Sequence, residues 1–328
     1  MRLGPGPEFD LIRRFVAGAA PAPPGVRWGP GDDVAWLAEP DVVVSTDLAV
    51  EDVHFRRAWL TPEEIGQRAA AAALSDLAAV AAEVRGVLLS LAVPDADVPD
   101  AAVALVGGAR AMVEALGGAL LGGDVTRSPG PLVVDVVAVG VTAAPVGRGG
   151  GRPGDEVWVT GWLGGAAGAV ACWAQGQAPP PRLRARFARP QPRVQEALWL
   201  RARVPLRAAI DLSDGLVGDA AHVAAASEVA LVLDPEAVPI DPAVRAALPS
   251  HAWELAVTGG EDYELLLLAP PGTVASHRAA FEATFGLPLT RLGTAEAGAG
   301  VWWSEGADRR PATERSFQHF ASRPPPPV

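Results

Sequence analysis

Six short acidic motifs, Gly31-Asp32-Asp33, Ser45-Thr46-Asp47, Ser75-Asp76, Gly123-Asp124, Asp211-Leu212-Ser213-Asp214 and Glu261-Asp262, each stand at the edge of an apolar run. A carboxylate in that setting is costly unless it is paired, hydrogen-bonded or bound to a cation. Any fold this chain adopts must therefore bring a partner to each motif. None of the six has an arginine within two positions, and the chain contains no lysine. Divalent metal is the economical partner. The missing lysine also excludes the phosphate-gripping loops that depend on it.

The 328 residues are enough for two domains with proper cores. A formal net charge of −11 disfavours non-specific nucleic-acid binding, which needs clustered Lys and Arg. The Ala/Val stretches are broken by charge or glycine too soon for a membrane span. Arg2, Glu8, Asp10, Arg13 and Arg14 interrupt the first fifteen or so residues, so they do not read as a signal peptide. Cys172 is the single cysteine, which excludes an internal disulfide and a thiolate zinc cluster. A cytoplasmic location is expected by default.

Residues 8–17 read as a short helix. Val42-Val43-Val44 reads as a strand with Ser45-Thr46-Asp47 at its C-terminal end. Thr61, Pro62 and Glu64 predict a helix start with Thr as N-cap, Pro at the first position and Glu at the third. That helix runs to about residue 83 with Asp76 in its interior. Further expected elements are a strand over 84–93, a helix over 99–116 and a strand over 132–141. Proline and glycine cluster over 145–154, which sets expected domains of 1–145 and 146–328. The second half again alternates strand and helix, with a basic, proline-rich connection over 179–192 and a strand ending in Asp211.

Ser45-Thr46-Asp47 offers two hydroxyls and a carboxylate, hard oxygen donors suited to Mg²⁺; taken alone it reads first as a turn with an Asp cap. Gly31-Asp32-Asp33 and Gly123-Asp124 also fit simple turns. Asp76 is harder to explain blandly, since it sits among Ala72, Ala73, Leu74, Leu77, Ala78 and Ala79, where Asp has poor helix propensity. Asp211-Leu212-Ser213-Asp214-Gly215 joins strand to helix, so it reads either as ordinary capping or as a phosphate-binding turn. His54 beside Phe55, and Arg148 in a glycine-rich segment, gain meaning only from their neighbours. No P-loop, no paired-His zinc motif and no G-x-S-x-G elbow is present.

Read in order, the motifs GDD, STD followed by HF, LSDLAA, GGD–TR, GRPGDEVWVTG, RPQPR, IDLSDGL and TGGEDYELL resemble the bacterial thiamine-monophosphate kinase family over about residues 8–320. The wider superfamily includes aminoimidazole ribonucleotide synthetase, selenophosphate synthetase and a hydrogenase-maturation protein. The resemblance implies a two-domain α+β fold of the aminoimidazole ribonucleotide synthetase kind. In it the N-terminal sheet would form a barrel with that of a second subunit, and the C-terminal domain would be an α/β sandwich. It implies ATP and thiamine monophosphate as substrates, several Mg²⁺ ions, a homodimer, and no nucleic-acid or membrane partner.

Carried over by position, Asp33, Ser45, Thr46, Asp47, Asp76, Asp124, Asp211 and Asp214 are the implied metal ligands. Gly123, Asp124, Arg148 and Ser213 are the implied nucleotide contacts. His54, Glu261 and Phe317 are the implied thiamine contacts. No catalytic acid or base is implied, because the acceptor is already an anionic phosphate oxygen. The chain departs from the family at Ala73, where Asn is usual, and at Val80-Ala81-Ala82, where Met-Gly-Ala is usual. Leu163-Gly164-Gly165-Ala166-Ala167-Gly168 is one residue shorter than the family's LGDSAAG and lacks its Asp and Ser.

Overall fold

The computed structural model describes residues 26–28, 35–37, 41–94, 100–306 and 308–317. The expected helix at 8–17, the Gly31-Asp32-Asp33 motif with Asp33, and the proline tail lie outside them. The first sheet holds β1 (Val26–Trp28), β2 (Ala35–Leu37), β3 (Val42–Val50), β4 (Glu83–Pro94), β5 (Ala119–Ser128) and β6 (Val133–Val141), in the order β1-β2-β3-β6-β4-β5. Only β4 and β5 pair in parallel. Helices α1 (Pro62–Ala79) and α2 (Asp100–Ala115) cover one face.

The expected barrel is corrected here. The six strands form an open sheet that ends at β1 and β5 without joining them, and the second sheet is open as well. The opposite face of the first sheet carries exposed Leu48, Leu88 and Leu121 beside the polar Thr46 and Asp124. Two motif placements also change. Ser45-Thr46-Asp47 lies in the middle of β3, and Gly123-Asp124 lies inside β5. Each apolar run continues past its carboxylate as strand because neighbouring strands supply the ladder bonds.

The second sheet has the order β13-β12-β9-β11-β7-β10-β8. In chain order its part of the molecule runs through β7 (Glu156–Thr160), α3 (Gly165–Ala174), α4 (Pro181–Ala188), α5 (Val194–Arg201), β8 (Ala208–Asp211) and α6 (Leu216–Ser227). It continues through β9 (Val229–Leu233), α7 (Pro242–Ala247), α8 (Ala252–Thr258), β10 (Leu265–Ala269), α9 (Arg278–Phe285), β11 (Leu289–Ala297), β12 (Gly300–Glu305) and β13 (Asp308–Pro311). Helix α4 falls in the stretch expected to be a connection; Pro181 occupies its first turn, where a missing N–H costs nothing. Among the described residues no helix is long and apolar enough to cross a membrane.

Helix α1 begins as its sequence predicts. Thr61 Oγ1 accepts from the Glu64 N–H at 3.2 Å, and the Glu64 carboxylate accepts from the Thr61 N–H at 3.1 Å. The helix then packs against α2, β3 and β6 on one side and against α4, α5 and β8 on the other. Both sides are buried, which is why Ala69 to Ala73 form an almost unbroken alanine run rather than an amphipathic stripe. The crossing with α2 is close: a Cβ on Gly66 would meet the Leu105 carbonyl oxygen at 1.8 Å, and one on Gly108 would meet that of Glu63 at 1.9 Å.

Arginines tie the two sheets' layers together across α1. Arg184 of α4 forks onto Glu64, with both N–H···O contacts at 2.8 Å. Arg201 of α5 donates to the Ala81 carbonyl at 3.2 Å and to the Thr142 hydroxyl. The hydrogen bonds from Arg184 hold the Glu64 carboxyl below the usual range against the opposing effect of burial.

Helix α1 ends in a Schellman turn, with the Ala82 N–H on Leu77 O and the Ala81 N–H on Ala78 O. Ala81 takes φ +53° there, at the position where the resembled family has glycine. The left-handed region costs a residue with a Cβ about 1–2 kcal/mol. Ala81→Gly is therefore expected to raise stability by about 1 kcal/mol in urea unfolding. A depressed folded-state pKa at Glu64 means its contribution is present above the unfolded value and lost as pH falls through the folded one. The stability difference between wild type and Glu64→Gln should thus be present at pH 7 and shrink progressively as pH falls below the ordinary glutamate range.

Candidate functional site

The period of two along β3 divides the Ser45-Thr46-Asp47 motif. Ser45 and Asp47 lie on the α1 side, where the Ser45 hydroxyl donates to Asp76 of α1. Thr46 points to the open face and donates to Asp135 of β6 at 2.9 Å. Asp124 belongs to that open face too, since β5 pairs it with Ser90 and β6 pairs Asp135 with the same Ser90. Its carboxylate accepts from the next N–H in the chain, that of Val125, at 2.9 Å. Gly123 has a backbone reason to be glycine: a Cβ would meet the Leu89 carbonyl oxygen at 1.9 Å. The sheet therefore separates Thr46 and Asp124 from Ser45, Asp47 and Asp76.

On the α1 side the second half of the chain closes the site. The Gly259-Gly260-Glu261-Asp262-Tyr263 segment reaches β10 through two non-glycine residues in the left-handed region, Glu261 at φ +68° and Tyr263 at φ +51°. Such conformations are rare for bulky residues and persist only where the surroundings impose them. The Glu261 N–H on Ser213 O at 2.8 Å and the Tyr263 N–H on Leu212 O at 2.9 Å supply that constraint. The Glu261 side chain forms an ion pair with buried Arg68 of α1. Burial pushes the Asp47 carboxyl up to about 6, with Glu261 adding to the rise and Arg68 opposing it. His54 follows β3; its Nδ1 accepts from the Val50 N–H at 3.0 Å, and its carbonyl accepts from Arg68 at 3.4 Å.

The Asp211-to-Asp214 turn completes the cluster. Asp211 is buried at the end of β8, opposite Leu265 of β10. Asp219, one helical turn into α6, accepts from the N–H groups of Asp214 at 3.1 Å and Gly215 at 3.0 Å. Burial drives the Asp219 carboxyl well above its ordinary range, Asp214 and Asp211 push the same way, and Arg148 opposes them. Asp214, Asp219 and His222 each place one ligand atom within 4.8 Å of the others. The Phe317 N–H donates to the Asp214 carbonyl at 3.2 Å, so this half-exposed ring lies beside the same turn.

Ser45, Asp47, His54, Asp76, Arg148, Asp211, Ser213, Asp214, Glu261 and Phe317 thus belong to one linked series of contacts. Asp219, His222 and Arg68 were missed. The spacing of Asp219 and His222, three apart on a helix, was a usable signal. Arg68 carried none, because its partners are distant in sequence.

Several motifs hold the fold instead. Asp262 accepts from the N–H groups of Gly164 at 2.6 Å and Gly165 at 3.1 Å, capping α3 at the point where the chain lacks the family's Asp and Ser. Glu264 is fully buried between Arg193, at 2.6 and 2.7 Å, and Arg186, at 2.9 Å, and it accepts from Thr160 at 2.8 Å. Burial would raise its carboxyl, but the two guanidinium groups outweigh that and hold it below the usual range. RPQPR and GGEDYEL are thus two ends of one buried ion pair.

The chain matches the family models of the AIR synthase related protein, N-terminal domain over residues 31–142 and C-terminal domain over residues 152–303. It is 37% identical over 268 residues to a thiamine-monophosphate kinase of Mycobacterium tuberculosis, covering 79% of each chain. The structure of AaThiL complexed with AMPPCP and TMP superposes with a TM-score of 0.80 at 27% identity, over 98% of this chain and 99% of that one. The thiamine-monophosphate kinase of Stenotrophomonas maltophilia K279a gives 0.74 at 36% identity, over 94% and 99%.

Replacing Glu264 by Ala leaves two guanidinium groups facing an emptied, buried site. Urea unfolding should show a loss of about 3–5 kcal/mol.

Proposed function

Because the chain belongs to the AIR synthase related family, and within it to the thiamine-monophosphate kinases, we propose that it transfers the γ-phosphoryl group of ATP directly to thiamine monophosphate, giving thiamine diphosphate and ADP. This reading is supported by the contacts that bring Glu261 of the second half to Arg68 and Asp47 of the first, beside the Ser45–Asp76 pair, and join it to Ser213 of the Asp211–Asp214 turn. We keep the expected domains, 1–145 and 146–328, as the proposed division of labour.

ATP and a phosphate monoester bring several negative charges together, and phosphoryl transfer is catalysed chiefly by positioning and charge neutralisation. The donor set fits Mg²⁺. Ser45, Asp47, Asp76, Asp211 and Asp214 offer only hard oxygens, the ligand type Mg²⁺ takes. Those residues would hold the ions, with Asp33 as a further ligand in the proposed set; Thr46 and Asp124, whose side chains lie on the other face of the sheet, would join it only through backbone oxygens. Bound Mg²⁺ would supply charge neutralisation for the phosphates.

The chain's own residues do the orienting. Ser213 lies within the Asp211–Asp214 turn and Arg148 acts on Asp219 beside it, while Gly123 and Asp124 of β5 are the further proposed nucleotide contacts. His54 accepts at Nδ1, so its neutral ring carries the proton on Nε2 and offers a donor to the acceptor phosphate. Glu261 matches the charge of the cationic thiazolium, and Phe317 offers a ring to stack on it. No side chain is needed as a base. The exposed Leu48, Leu88 and Leu121 on the open face of the first sheet are the surface we assign to a homodimer contact.

Incubation with Mg-ATP and thiamine monophosphate should yield equal amounts of ADP and thiamine diphosphate; the formation of neither would sink the reading. Asp47→Asn and Asp76→Asn should each lower the transfer rate roughly 100-fold or more with the unfolding midpoint little changed. Wild-type rates in both would refute their assignment.

A further inference from the structure

Arg68 touches two of the three proposed thiamine contacts, His54 and Glu261, and it does so from inside the protein. Its side chain is only 5% exposed. Nη1 donates to the Phe187 carbonyl at 2.7 Å, while Nη2 reaches the His54 carbonyl at 3.4 Å and pairs with Glu261 Oε1. The guanidinium carbon lies 3.9 Å from the centre of the Phe187 ring. That ring is itself wedged edge-on against Trp173 at 5.3 Å and Trp59 at 6.1 Å, and the two tryptophans stack at 4.7 Å.

Resting on the kinase reading above, we infer that Arg68 is the positioning residue of the thiamine-monophosphate site, fixing Glu261 and the His54 backbone relative to each other across the two halves of the chain. Glu261 is held at both ends: its backbone by Ser213, its Oε1 by Arg68. The second carboxylate oxygen is thereby aimed rather than free to swing. A planar guanidinium with donors on both terminal nitrogens can serve a carboxylate and two carbonyls while lying flat on a ring. An ammonium keeps the charge but loses that geometry, so Arg68→Lys isolates positioning from charge.

The test compares steady-state constants for wild type, Arg68→Lys, Glu261→Gln and the double variant, varying thiamine monophosphate and ATP separately. Arg68→Lys should raise KM for thiamine monophosphate about tenfold, and KM for ATP should stay within about twofold. Glu261→Gln should raise KM for thiamine monophosphate similarly. In the double variant the two effects should not multiply, because Arg68 acts through Glu261. An unchanged KM for thiamine monophosphate, an equal rise for both substrates, or a multiplicative double variant overturns the inference. If Arg68→Lys does not fold, Phe187→Leu carries the test by removing the ring beneath the guanidinium. A rise of about threefold for thiamine monophosphate alone upholds the inference, and no rise overturns it. An active wild type with unaltered variants overturns positioning and leaves the kinase reading standing; an inactive wild type overturns both.

Discussion

The burial of helix α1 on both sides is the constraint from which the rest follows. A helix that faces a sheet on one flank and a second layer on the other has no solvent side on which to put its polar residues. Alanine fills most of it, and Glu64, Arg68 and Asp76 find protein partners, whereas the buried Ser75 hydroxyl has no hydrogen-bond partner among the described residues. Glu64 meets Arg184, Ser45 meets Asp76, and Arg68 meets Glu261. Each of these pairs joins α1 to an element from elsewhere in the chain, so the wall between the two halves is also where the site assembles.

Arginine neutralises several buried carboxylates that lie outside the six motifs. The carboxylates of Glu64, Asp155 and Glu264 are neutralised by Arg184, Arg207 and the Arg186–Arg193 pair. A guanidinium binds a carboxylate in a fork and keeps its charge when buried, which suits an interior lacking lysine. The remaining site carboxylates form a set, Asp47, Asp76, Asp211, Asp214 and Asp219, of which Asp76 accepts from Ser45. Desolvation and mutual repulsion raise the carboxyls of Asp47 and Asp219 within it. That remainder marks the cation-demanding part of the molecule more sharply than the six motifs did.

Local features were legible in the sequence where the physics is local. The Thr61-Pro62-Glu64 start of α1, the strand at 84–93 and the strand ending in Asp211 all lie where short-range chemistry puts them. Strand ends were misjudged at Asp47 and Asp124 because a carboxylate within a strand is decided by the neighbouring strand, not by its own segment. Helix α4 was hidden by its prolines and arginines, whose burial against α1 no local rule reports. The expected barrel failed for the same reason, since closure depends on the edges β1 and β5 rather than on any strand's sequence.

By itself the sequence determined the α+β class, the boundaries of most elements, the family, and a list of carboxylates too costly to leave without partners. Those are consequences of local propensity, burial cost and motif order. Only the tertiary structure decided which partner each carboxylate takes. Register sends Ser45 and Asp47 to one face of β3 and Thr46 to the other, and helix packing delivers Arg68 to a glutamate almost two hundred residues away. The physical reason is that a buried charge is satisfied in space and not along the chain. Six similar acidic motifs could therefore divide into helix caps, buried ion pairs and a site.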